Sequence, residues 1–386
     1  MCVGGRGEGG FTSFSLPTLQ EIGISRKTPD PGNSGWTGKH CSYILYNNTP
    51  SPTSSPTTPS LSLTMVKPRA VLLIGGHGRT GQHITRILLS HGHTVYSLIR
   101  NIDQLEEIQS LAAPYPKGRL RPLIHDLNGI SSHEVKELLG QGSANGDGLG
   151  DGGIEWVIWA AGAKSNIPRH PQDQLSVERD AAIRFIDEAR GKGVGPGGGV
   201  RRFILISACI CRREVAGWWT NEESEYWNCL RKEVMPTYVE AKTEVDELLV
   251  SECRSHIKNV ADAAEKERAG LEDVDESFSA VSIRPGTLGE HPGTGKVQLG
   301  RTRLGKDALS REDLARVVVA LCETKGIPKM GGGIGCRWLD VGVGEDEVES
   351  AVARCIQEDV DTSRSGIEPF EGAGKVEERQ GGGFST

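Results

Sequence analysis

"VLLIGGHGRTGQHITRILL", residues 71–89, sets four glycines, Gly75, Gly76, Gly78 and Gly81, between an apolar run and an amphipathic one. The first run has the length and β-branched content of a strand. The second repeats its apolar positions at helical spacing, so the segment reads strand, loop, helix. A loop stripped of side chains at such a junction lets another group touch its backbone.

Outward from this unit the same alternation continues. Strands are expected at 70–75, 94–99, 120–125, 155–161, 201–207 and 279–284, and helices at 80–91, 102–112, 131–139, 172–191, 234–252 and 310–323. Strand-length runs alternating with helical patterns predict an α/β fold, a doubly wound parallel sheet of Rossmann type. Ser310 followed by Asp313 reads as the cap of the last helix. A small C-terminal cap is expected from 286–309 and 325–356, where "RWLDVGVGEDEVESAVARCI" adds a short strand and a helix. The glycine clusters 140–153 and 191–199 read as surface insertions, and the segment before the sixth strand as a more helical one. The organisation is therefore a Ser/Thr/Pro-rich arm at 1–66, expected to be disordered, a domain at 67–356 and a flexible acidic tail at 357–386. Met65 stands directly before the domain.

The chain of 386 residues carries a net charge of −7, and the stretch from 340 onward accounts for the excess acid. With no basic stripe, nucleic acid is not an expected partner. No apolar run approaches a membrane span and the amino terminus lacks the pattern of a secretory signal, so a cytoplasmic protein is expected. The nine cysteines show no framework spacing, which predicts reduced thiols, with Cys209 and Cys211 the nearest pair. The sequon at Asn47 is then idle. The ten histidines show no metal-ligand spacing, and no metal is expected.

Gly76-x-Gly78-x-x-Gly81 is the general dinucleotide fingerprint, and Gly75-x-x-Gly78-x-x-Gly81 a second spacing met by the same loop. Strand before and helix after support a pyrophosphate against the helix N-terminus, contacted by Gly75, Gly76, Gly78, Arg79, Thr80 and Gly81. The second strand ends in Arg100 and Asn101, where an NAD site carries an acid for the ribose hydroxyls. A guanidinium there pairs with a 2′-phosphate, with Arg79 in support, so NADP(H) is favoured over NAD(H). Asp126, after the third strand, reads either as a holder of the adenine amino group or as an ordinary turn residue. His77 inside the loop reads as filler.

These residues resemble the short-chain dehydrogenase/reductase superfamily in its atypical or extended branch, over roughly residues 68–350. "GGHGRTG" is similar to its GxxGxxG loop, and "WAAGA" (159–163) to its fourth-strand motif, which implies cofactor contacts at Ala160, Ala161 and Gly162. "YVEAK" (238–242) matches its Tyr-x-x-x-Lys pair. "SIRPGTL" (282–288) resembles the strand end that borders the nicotinamide, implying Pro285 and Gly286. Within the branch the chain looks most like the group related to flavin or biliverdin-IXβ reductase and to NmrA-like NADPH sensors. Tyr238 and Lys242, at i and i+4, share one helix face, and a cation beside a phenol is expected to lower its pKa and make Tyr238 a proton donor. The family's serine run departs here: Ser207 is followed by Ala208 and Cys209, so either Ser207 serves or the carbonyl-orienting hydroxyl is absent.

Two functions follow. One is an NADPH-dependent oxidoreductase acting on a small carbonyl, quinone or flavin-like acceptor, with Tyr238, Lys242 and Ser207 as its catalytic group. The other is a catalytically silent NADPH-binding sensor. An epimerase or dehydratase is weaker, because the part after 286 is small for a sugar-nucleotide lobe. The aromatic stretch "GWWTNEESEYWNCL" (217–230) reads equally as a wall above the nicotinamide or as packing for an insertion. Oligomeric state is not legible.

Overall fold

The computed structural model describes residues 67–144, 153–162, 175–191, 199–267, 278–305, 307–324 and 334–363. The arm at 1–66 and most of both glycine clusters lie outside them. Strand β1 (Ala70–Ile74) is buried along its whole length. Its residues alternate between two cores: Val71 and Leu73 face one, Ala70, Leu72 and Ile74 the other. A strand apolar on both faces needs helices on both sides, and that requirement creates the three layers.

Helix α1 (Arg79–Ser90) leads into β2 (Thr94–Ile99) and, after a short 3-10 turn, α2 (Leu105–Ser110). Next come β3 (Arg119–Ile124), α3 (Ser132–Ala144), β4 (Trp156–Trp159), α4 (Ala182–Gly191) and β5 (Arg202–Ile206). The chain continues through α5 (Asn221–Cys229), α6 (Pro236–Glu267), β6 (Ser279–Pro285), β7 (Leu288–Gly289), β8 (Lys296–Gly300), β9 (Leu309–Ser310), α7 (Arg311–Glu323), β10 (Cys336–Glu347) and α8 (Val348–Gln357). The main sheet runs β3-β2-β1-β4-β5-β6-β10-β8, parallel except for β8. The order reverses between β1 and β4, which puts the glycine loop at the switch point where open α/β sheets bind ligands. Helices α1, α7 and α8 cover one face; α3, α4 and α6 cover the other.

The six expected strands are present within one to two residues at each end. The C-terminal part differs from its expectation. Strand β10 is twelve residues long, pairs with β6 through its first half and holds β8 through its second, so these segments extend the sheet. A register shift between Gly342 and Asp346 makes this possible, and a Cβ at Gly344 would lie 2.2 Å from the Gln298 nitrogen. Helix α6 runs well past 252, because its polar continuation has no apolar stripe for periodicity to detect. The boundary expected at 357 falls inside packed structure: Thr362 donates to Asp340 (3.2 Å), and Asp361 accepts from the Trp338 amide (3.1 Å).

The expectation of reduced thiols fails at one pair. Cys253 of α6 and Cys336 at the start of β10 form a disulfide with a Cα–Cα separation of 6.0 Å. They stand 83 residues apart, so no sequence spacing reveals the pair. Cys209, Cys211, Cys322 and Cys355 are buried free thiols, pushed up to about 12 or, for Cys355, about 11 by burial, and are inert at neutral pH. Among the described residues no helix is long and apolar enough to cross a membrane.

His91 and His93, at the α1–β2 turn, both meet Glu323 at the end of α7, at 2.7 and 2.9 Å. The Arg69 amide donates to His93 Nδ1 (3.1 Å), so Nε2 carries the proton and donates to Glu323. That tautomer opposes metal ligation through Nε2, and the trio is a hydrogen-bonded joint between the end of α1 and the end of α7. Burial alone would raise Glu323, but the two imidazoles bring it to about 2. The hydrogen bond to Glu323 raises His91 against the opposing effect of burial. A depressed acid stabilises above its unfolded value near 4.5 and loses that contribution as pH falls toward 2. A raised base stabilises fully below 6.5 and loses it as pH rises through its higher folded value. Glu323→Gln is therefore expected to flatten both limbs of the thermal-unfolding midpoint against pH; an unchanged profile would assign the joint no role in stability.

Candidate functional site

The glycine loop is shaped by its neighbours. Gly75 and Gly76 both donate to the Leu98 carbonyl (3.2 and 3.0 Å), and the Gly78 amide donates to Gly75 O (2.9 Å). Gly75 has φ +87°, and a Cβ there would lie 2.6 Å from the Ala161 nitrogen. At Gly76 it would meet Ser97 Oγ at 1.8 Å, and at Gly81 the Gly75 carbonyl at 2.5 Å. Backbone packing thus demands glycine at Gly75 and Gly81, while at Gly76 the Ser97 hydroxyl would have to turn away.

The ligand signal comes from the helix that follows. Helix α1 has no side-chain cap at Gly78 and no acid in its first turn, so its N-terminal amides and positive dipole end are unopposed. Helix α7 shows the contrast: Ser310 accepts from the Glu312 amide (3.1 Å), and Glu312 and Asp313 stand in its first turn. An anion at the start of α1 supplies what α7 already has in its own side chains.

At the end of β2, Arg100 is exposed, and its side chain has no partner among the described residues. The neighbouring Asn101 is committed to a capping box with Gln104. Exposed Ile102 and Ile124 lie at the adjoining ends of β2 and β3, where the His125 backbone amide donates to Ile99 O (2.9 Å), an apolar flank that suits a purine ring. Asp126 accepts from the Asn128 amide (3.1 Å), the turn role, and remains exposed. Arg79 is not directed toward Arg100: it pairs with Glu290, which also accepts from Arg311 (2.8 Å). His77 pairs with Glu107 of α2 (2.7 Å), and Thr80 is half-buried.

Ala160 donates to Ile74 O (2.8 Å), bringing the end of β4 against the loop, with Ala161 touching Gly75. Exposed Gly162 follows; a Cβ on it would lie 3.1 Å from Glu178 Oε1. Glu178 sits in a π-helical turn, Ser176–Ala181, ahead of α4, a geometry enriched at functional sites. Its carboxylate meets Lys242 Nζ at 2.8 Å, and both side chains are buried. Lys242 also donates to Ile206 O (3.3 Å) and lies 5.9 Å from the Tyr238 ring centroid.

One run of contacts therefore joins the glycine loop to α6: Gly75, Ala161, Gly162, Glu178, Lys242. Pro285 and Gly286, at the end of β6, border the same edge, with the Cys209 amide donating to Pro285 O (3.0 Å). The aromatic stretch forms its own small core with Ile210, Leu230 and Leu304, against which Tyr238 packs. Trp218 and Trp219 donate to Thr302 O (2.8 and 3.1 Å), and Trp227 to Ile210 O (2.8 Å).

Two expectations about side-chain state change. Burial pushes the Tyr238 phenol well above its ordinary value, reinforced by acidic neighbours, so it is not lowered toward neutrality. The cation that was to lower it is paired with Glu178; burial tends to lower Lys242 itself, but that ion pair prevails and raises it. Ser207 is buried and donates to Asp246 Oδ2 (2.7 Å), while Ser282 donates to Oδ1 (2.7 Å). Its proton is directed under the sheet ends. Asp246 is raised by burial and opposed by Arg284, 3.8 Å away. Glu178, Asp246 and Glu290 were not singled out from the sequence: a buried lysine requires a counter-ion, but nothing in "SVERDA" distinguishes the acid that supplies it.

A model of the NAD(P)H-binding family matches residues 75–325. The chain belongs to that family. A UPF0659 protein of Schizosaccharomyces pombe is 26% identical over 250 residues, covering 64% of this chain and 82% of that one. Among solved structures, one described as an NAD-dependent epimerase/dehydratase from Bacillus halodurans matches with TM-score 0.48 and 18% identity, over 74% of this chain and 99% of that one. The anaerobilin reductase ChuY of Escherichia coli O157:H7 matches with TM-score 0.43 and 16% identity, over 70% and 96% of the two chains.

Gly75→Ala places a methyl on backbone atoms at a left-handed φ. It is expected to cost about 1–3 kcal/mol in thermal or denaturant unfolding and to abolish dinucleotide binding measured by fluorescence titration. Unchanged stability and binding would contradict the close approach of loop and β4.

Proposed function

We propose that this protein is an NADPH-dependent oxidoreductase that reduces a small carbonyl, quinone or flavin-like acceptor, with Tyr238 as proton donor. The observation that carries the reading is the contact run from Gly75 through Ala161, Gly162 and Glu178 to Lys242, which ties an unopposed helix N-terminus to the helix bearing the phenol. The residues fit a dinucleotide: the first-turn amides of α1 would hold its pyrophosphate, Ile102 and Ile124 would flank its adenine, and Arg100 would meet a 2′-phosphate. NADPH supplies the hydride when bound. Lys242 holds its place through Glu178 and Ile206 O, and Tyr238 gives its hydroxyl proton to the acceptor oxygen.

The second reading, a silent NADPH sensor, draws on the turning of Ser207 to Asp246, which removes one hydroxyl from carbonyl orientation.

Arg100→Glu is expected to weaken NADPH binding by about 1.5–3 kcal/mol and NADH binding far less, as two titrations compare. Equal losses would remove Arg100 from phosphate pairing. Tyr238→Phe is expected to abolish turnover in an acceptor screen while leaving NADPH affinity nearly unchanged. Full activity in that variant would end the proton-donor assignment, and a wild-type protein that binds NADPH yet reduces no acceptor would favour the sensor.

A further inference from the structure

Resting on the dinucleotide reading above, we propose that Arg79 is a movable anchor for the cofactor's pyrophosphate, held on Glu290 while the site is empty, and that Glu290 thereby sets how tightly either nicotinamide nucleotide binds.

Three side chains carry the assignment. Arg79 is the first residue of α1, directly after Gly78, and its guanidinium pairs with Glu290 from the loop after β7. The same carboxylate oxygen, Oε1, accepts from Arg311 Nε at the start of α7 (2.8 Å). Two guanidiniums on one carboxylate leave a net positive charge beside the start of α1, whose own first turn holds no acid. That is the sign of charge a pyrophosphate requires.

The two guanidiniums are not equivalent. The Arg311 side chain is 11% exposed and that of Arg79 47%. Withdrawing the nearly buried one would strand a charge, whereas Arg79 can turn to another anion at little cost. Glu290, for its part, does not depend on Arg79 for its place. The loop that bears it is pinned to α7: the Gly293 amide donates to Glu312 (3.0 Å), and the Thr294 and Gly295 amides donate to Asp313 (2.8 Å each). Burial would raise the Glu290 carboxyl, but Arg311, and after it Arg79, hold it below its ordinary value, so it is charged at neutral pH. When Arg79 leaves, Arg311 still neutralises Glu290, and the exchange strands neither partner. Glu290 is therefore a competitor for Arg79 with the strength of one half-exposed ion pair. The exchange serves NADH and NADPH alike, because Arg79 stands in the first turn of α1, where their common pyrophosphate would approach, and Arg100 follows β2.

The test is a fluorescence titration of the full chain with NADPH and with NADH, each repeated with inorganic pyrophosphate as competitor. Glu290→Gln is expected to tighten both nucleotides, and pyrophosphate, by one common factor of about two to five, the worth of a half-exposed ion pair. Arg79→Gln is expected to weaken all three by about tenfold. In Arg79→Gln/Glu290→Gln the gain from Glu290→Gln is expected to vanish, because no guanidinium remains to be released. Three results would overturn the proposal. The first is unchanged or weaker binding in Glu290→Gln. The second is the same gain with and without Arg79, which would make Glu290 a plain repelling charge. The third is a gain confined to NADPH, which would send Arg79 to the 2′-phosphate. Glu290→Ala, expected to give the same gain, takes the place of Glu290→Gln should that variant not fold. Wild-type protein that binds neither nucleotide would end the dinucleotide reading and the exchange together; wild-type binding with unmoved variants would end the exchange alone. Neither result depends on finding an acceptor.

Discussion

Three buried carboxylates, Glu178, Asp246 and Asp340, are matched to three buried cations, Lys242, Arg284 and Arg212, beside the C-terminal ends of β5 and β6 and the first half of β10. Removing water from six charges is tolerable only because each meets its opposite, and losing one partner of such a pair costs about 3–5 kcal/mol. The balance fixes where α6 lies. Asp246 receives Ser207 from β5 and Ser282 from β6, its carbonyl accepts from Trp338 of β10 (3.1 Å), and Arg284 stacks 3.9 Å from that indole centroid. Tyr238 is placed because Lys242 and Asp246, one and two turns along the same helix, are placed.

This arrangement also explains the behaviour of the phenol. Lysine four residues from tyrosine lowers a phenol's pKa when its charge is uncompensated, and here the charge is compensated by an acid from another helix. The same residue pair can therefore serve different chemistry in different surroundings. What distinguishes them is a counter-ion absent from the local motif.

The glycine loop shows the converse, a feature whose local pattern is sufficient. Gly75 must be glycine for its φ and for Ala161, and Gly81 for the Gly75 carbonyl. Those demands arise from packing a tight strand-to-helix turn between β2 and β4. The start of α1 has no side-chain cap and no acid in its first turn, whereas in α7 Ser310 accepts from the Glu312 amide.

The strand–glycine–helix unit, the alternation of apolar runs and helical patterns, the lack of an acid at the end of β2 and the Tyr238/Lys242 spacing were legible in the residues alone. Each shows itself in residues within a few turns of chain, where periodicity and side-chain chemistry are decisive. The extension of the sheet by β10 and β8, the Cys253–Cys336 disulfide, the turning of Ser207 to Asp246 and the pairing of Lys242 with Glu178 were decided only by tertiary structure. Their partners lie 39 to 83 residues apart, and a buried charge or thiol specifies that it needs a partner without specifying which one.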